Sequence, residues 1–87
     1  MSDKVWVVTL ERPHTWRSES VTDVLRTYRE GAIDEARTFA YDLAKKEAER
    51  QMLEKEVTHS IEEGRESYFS YDHTGYVEVC LIKTGLF

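Results

Sequence analysis

The sequence predicts a small α+β domain with a two-layer β-β-α-β-β order, in which one long helix lies on one face of a mainly antiparallel four-stranded sheet. Three observations predict it. Residues 31–57 carry a helical apolar period and contain no Pro, and after Gly31 no Gly follows until Gly64. Residues 4–11 and 76–83 instead read as strands, rich in β-branched and aromatic side chains. The connection 72–75, Asp-His-Thr-Gly, has the chemistry of a tight turn between two strands, with Gly75 placed for a positive φ. The 87 residues make a single domain, 1–87, whose core is about one layer of helix on sheet.

The first strand, 4–11, puts Trp6, Val8 and Leu10 on one face and Val5, Val7 and Thr9 on the other. Both faces are apolar, which predicts an interior position. Residues 12–20 break the pattern with Pro13 and a polar cluster, yet gather Arg12, His14, Trp16 and Arg17 in an otherwise acidic chain. Trp16 folded back over the sheet end is the plain reading. A contact loop is the functional one, because Trp and Arg dominate binding hot spots.

Residues 21–28 fit two readings. Val21, Val24, Leu25 and Tyr28 have helical spacing behind a weak Ser20–Asp23 capping box, while the β-branched content suits a strand. A strand is favoured because it would pair with residues 4–11 and leave no element unpartnered.

The helix is organised by Ile33, Ala36, Phe39, Ala40, Leu43 and Ala44, one stripe on a 3.6-residue repeat. Asp34 and Glu35 sit where a carboxylate favours the helix dipole. Beyond Ala44 the stripe turns polar at Glu47 and Gln51, and an offset stripe follows at Leu53, Val57 and Ile61. The helix therefore either outruns the sheet or bends near Arg50. Its second half is left as a surface for a partner. Residues 64–66 form the turn out, 67–72 and 76–83 make a C-terminal hairpin, and Leu86–Phe87 form a tail that docks on the core or meets another chain.

A single helix covers one face of a sheet. The other face draws on Val5 and Val7 or Trp6 and Val8, with Tyr28, Tyr68, Tyr76, Cys80 and Ile82, and a contiguous apolar patch of that kind marks an interface. The net charge of −5 argues against direct nucleic-acid binding or an anionic membrane and favours a neutral or basic partner. No apolar run has the length of a membrane span, and the N-terminus lacks a signal-peptide arrangement. A single cysteine, Cys80, excludes an internal disulfide framework, so a reducing cytoplasm is expected.

Motifs for chemistry are sparse. His14, His59 and His73 show no metal-ligand spacing, and no phosphate-cradling glycine loop or serine-nucleophile elbow occurs, so no metal, cofactor or catalytic residue is assigned. Cys80, mid-strand, reads as an inert thiol. Glu35, Asp42, Glu49, Glu56 and Glu63 recur every seven residues and would share a ridge on a straight helix. An acidic rail that mimics nucleic acid is one reading of them; a solvated helix back, interrupted by Lys45, Lys46, Arg50 and Lys55, is the plainer one.

The opening VWVVTLE, a polar loop, a second strand ending at Tyr28 and a helix beginning DEARTFAYDLAKK together resemble small uncharacterised proteins of bacteria and their phages, which open with a VYVVT-type strand. The likeness covers the first half and implies a fold and, through the phage association, a modulator or inhibitor of a host protein. The expected function is a non-enzymatic protein-interaction module, self-associating as a homodimer or binding another protein. Its contacts are expected from Arg12, His14, Trp16, Arg17, Tyr28, Tyr68 and Tyr76. The alternatives are the acidic mimic blocking a DNA- or RNA-binding protein and a small enzyme without a recognisable motif.

Overall fold

A computed structural model of the chain describes residues 4–13, 20–73 and 75–85. Strand β1 (Lys4–Pro13) runs antiparallel to β2 (Ser20–Arg29), a short 3-10 turn (Glu30–Ala32) leads into helix α1 (Ile33–Arg50), and β3 (Thr58–Glu62), β4 (Arg65–Tyr71) and β5 (Tyr76–Gly85) complete the chain. Among the described residues the sheet has five strands in the order β2-β1-β5-β4-β3, every neighbour antiparallel. The α+β class stands, with one strand more than expected.

Residues 21–28 belong to β2, and β1 is interior, flanked by β2 and β5. The ladder between β1 and β2 shifts register between Val8 and Thr9, a bulge that leaves Leu25 as the extra residue. The C-terminal hairpin forms as expected, closed by Tyr71 opposite Tyr76. The reason for Gly75 differs from the expected one. Among the described glycines only Gly64 has a positive φ, 72°, in the β3–β4 turn. At Gly75 a Cβ would instead run into the Gln51 side chain.

The helix ends earlier than its composition suggests. Leu53 N–H donates to Ala48 O at 2.9 Å and Met52 N–H to Glu49 O at 3.0 Å, the paired bonds of a Schellman ending. The left-handed residue between them is Met52, with φ 59°, where glycine is usual. Leu53 and Val57 then fold back against the core instead of continuing a helical stripe. Thr58–Glu62, expected as helix, pairs with β4 as an edge strand, and Ile61 is 59% exposed. Val57, Thr58 and Ile61 are β-branched and the Glu63–Gly64 turn is a hairpin turn, so local strand preference wins once the helix is capped.

The core lies between α1 and the face of the sheet carrying Trp6, Val8, Leu10, Tyr68, Val77, Val79 and Leu81. The helix meets it with Ala36, Ala40, Ala44 and Ala48, all buried. These side chains recur at i+4, so the helix presents a smooth stripe and rides close to the larger sheet residues. At its C-terminal end the stripe continues as Glu47, buried and polar. Arg50 donates to it through Nε at 2.9 Å and also through Nη2, Gln51 Nε2 donates at 3.1 Å, and Arg12 stands 3.7 Å away. Gln51 also donates to Tyr76 O at 2.9 Å, tying the helix end to the hairpin. The chain itself thus completes the packing that the sequence had left to a partner.

Candidate functional site

The register defines the uncovered face row by row. Val5, Val7, Thr9 and Glu11 lie opposite Thr84, Ile82, Cys80 and Glu78 of β5. Next on β4 come Arg65, Ser67, Phe69 and Tyr71, opposite Ile82, Cys80, Glu78 and Tyr76. On the other side Arg29, Thr27 and Val24 of β2 extend the rows of Val5, Val7 and Thr9. All these residues alternate with the buried set beneath α1, so they share the opposite face. No described element is layered over them.

The face has three zones. Its end near the start of β1 is apolar, with Val5, Val7 and Ile82, and Val24 at the edge strand is 69% exposed. Its β3–β4 side is polar, where Arg65 Nη2 stands 3.6 Å from Glu78 Oε1 and 3.7 Å from Cys80 Sγ. The Cys80 thiol donates to Glu78 Oε1 at 3.1 Å. Burial, helped by the Glu78 carboxylate, pushes that thiol up to about 11, which leaves it protonated and a poor nucleophile at neutral pH. The third zone, at the β4–β5 hairpin, is an open groove of about 720 Å³ in which Phe69, Tyr71, Tyr76 and Glu78 are prominent. The rings of Phe69 and Tyr71 lie 6.5 Å apart and within 14° of parallel.

The expected contact residues divide. Tyr76 lies in the groove. Tyr28 does not face outward; it packs under the helix with its ring 6.0 Å from Phe39, and Arg26 stacks on both. Tyr68 is buried too, stacked on His59 at 4.2 Å and edge-on to Tyr41 at 6.1 Å. The direct pairings Trp6↔Tyr28 and Tyr68↔Val79 place both rings on the core face. Arg12 is engaged with Glu47. His14, Trp16 and Arg17 lie outside the described residues.

The acidic ridge is broken. Glu35, Asp42 and Glu49 are on α1, but the helix ends at Arg50, so Glu56 falls in the loop before β3 and Glu63 in the β3–β4 turn. Two other carboxylates, Glu47 and Glu66, are buried. Arg37 grips Glu66 with two bonds, 2.8 Å from Nε and 2.9 Å from Nη2, and His59 Nε2 is 3.6 Å away. Arg37 foremost holds the Glu66 carboxyl below its ordinary value, as Arg50 does for Glu47. Glu66 ties the helix to β4 through Arg37, whereas Glu47 is held mainly within the helix end by Arg50 and Gln51, with Arg12 of β1 beside it.

Phe69, Tyr71 and Glu78 were not among the expected contacts. The alternation within residues 67–72 and 76–83 was visible, but the face each strand shows to the helix depends on the hairpin register, which places Tyr71 across from Tyr76. Among the described residues no three His, Cys, Asp or Glu gather closely enough to hold a metal ion, and no helix is long and apolar enough to cross a membrane. Compared with protein-family models, curated proteins and solved structures, the chain has no significant match.

Proposed function

We propose that this chain is a small non-enzymatic protein-interaction module that docks a protein partner on the uncovered face of its sheet. The observation that carries the reading is a sheet face on which no described element is layered, with Val5, Val7 and Ile82 towards one end, Phe69, Tyr71 and Tyr76 at the hairpin end, and the Thr9, Cys80 and Ser67 row between them. Strands of ten, ten, ten, seven and five residues, at ~3.3 Å per residue and ~4.8 Å between strands, span roughly 650 Å² of projected face. That is close to the ~800 Å² per partner of a standard protein interface. Arg65, Glu62 and Glu78 form a polar rim on the β3–β4 side, as polar rims flank the apolar parts of such surfaces. The net charge of −5 favours a neutral or basic partner over a second copy of the same acidic chain.

The test uses the immobilised chain as bait beside a Val7→Ser/Ile82→Ser variant, with light scattering to report self-association. Partner recovery, or a doubled mass if the partner is a second copy, is expected for the native chain and lost in the variant while circular dichroism stays native. Equal recovery by the variant contradicts the assignment of the face.

A further inference from the structure

We infer that the groove at the hairpin end of the open face is a receptor for an arginine side chain of the protein partner. Tyr71 already holds a cation of the chain's own: Lys55 Nζ sits 4.9 Å from its ring centroid. Tyr71 itself is 58% exposed and Glu78 keeps 36% of its side-chain surface, so beside Lys55 and Arg65 both still present surface to the groove. Phe69 and Tyr71, nearly parallel, offer flat faces to a flat cation, and Tyr76 adds a third ring directly opposite Tyr71. A guanidinium matches this set better than an ammonium, because it stacks on aromatic faces while its N–H fork remains available to a carboxylate. Asp72, also at the groove, accepts the backbone N–H of Gly75 at 3.2 Å and of Glu54 at 3.3 Å, so it shapes the hairpin and adds negative potential. Arg65 pairs with Glu78 from the β3 side at 3.6 Å, leaving the hairpin side as the approach.

The inference rests on the docking-face reading and names the chemistry at one end of it. Its test titrates the full chain with acetyl-Gly-Arg-Gly-amide and with the same peptide carrying neutral citrulline, following side-chain and amide shifts by NMR. The arginine peptide is expected to bind roughly 3- to 30-fold more tightly, the range of a cation on an aromatic face, with shifts centred on Phe69, Tyr71, Tyr76 and Glu78. Tyr71→Leu, at an exposed position, should remove most of that preference, and Glu78→Gln should reduce it. Equal affinity for citrulline, shifts centred elsewhere, or a preference untouched by Tyr71→Leu would each overturn the assignment. If the peptide arms fail while partner recovery still depends on Val7 and Ile82, the arginine receptor alone is refuted. If that dependence is also lost, the docking face falls with it.

Discussion

Replacing Ala40 by leucine tests the alanine stripe that sets the distance between helix and sheet. Ala36, Ala40 and Ala44 are each 0% exposed, and they face Val8, Val79 and Leu81, which are 0% exposed as well. The larger side chain would add three carbons between two layers already closed around the position, so the helix must lift or side chains must leave their rotamers. Overpacking of this kind costs ~1–3 kcal/mol. A chain of this length unfolds with an entropy of roughly 180 cal/mol/K, so each kcal/mol lowers Tm by about 5–6 °C. The expected fall for Ala40→Leu is therefore roughly 5–17 °C by calorimetry. Asp42→Leu, an identical side chain on the exposed side of α1, is expected to stay within about 3 °C, as surface changes do. An Ala40→Leu melting point within about 2 °C of the native one, what a surface change produces, would show that the stripe does not hold the layers close.

Acid stability tests the two buried carboxylates. Their folded values lie below the ordinary 4.5, so the stability they contribute is present above that pH and is lost as pH falls through the depressed values. The urea midpoint of a Glu47→Gln/Glu66→Gln variant should therefore fall less steeply than that of the native chain on acidification below 4.5; parallel curves would contradict it. Met52→Gly should stabilise the chain by up to ~1 kcal/mol, because glycine takes the left-handed Schellman position without the Cβ clash. A lower melting point would argue against that helix ending. Cys80, with its thiol near 11, should alkylate with iodoacetamide at about pH 8 at least about tenfold more slowly than a free cysteine, even after allowing for the higher nucleophilicity of its thiolate. A rate equal to that of a free thiol would mean the site opens readily.

Much of the architecture can be read from local pattern. The period of Ile33, Ala36, Ala40 and Ala44 marks α1, and the alternation of residues 76–83 marks β5, because burial on one side imposes those repeats. The helix end was harder, since Glu54, Lys55 and Glu56 have helical composition and the stop is made by Met52, a residue with no such reputation. Missing that stop hid β3 and kept Glu56 and Glu63 on a ridge that does not exist. At the candidate site, Tyr76 and Ile82 were legible as outward residues, whereas Tyr28 and Tyr68 were not distinguishable as inward ones. Their side follows from pairings with Trp6 and Val79, set by a bulge and a turn rather than by their own neighbours in sequence.

Hydroxyl-radical footprinting of the chain, free and bound to the protein it recovers, tests the docking face most directly. Tyr71 is 58% and Ile82 36% exposed on that face, while Tyr41, 43% exposed on the helix, and Met52, 82% exposed at the helix end, report on the other side. The docking-face account predicts that binding suppresses oxidation at Phe69, Tyr71, Tyr76 and Ile82 and leaves Tyr41 and Met52 as reactive as before. Protection of Tyr41 and Met52, with Tyr71 and Ile82 unchanged, would contradict it.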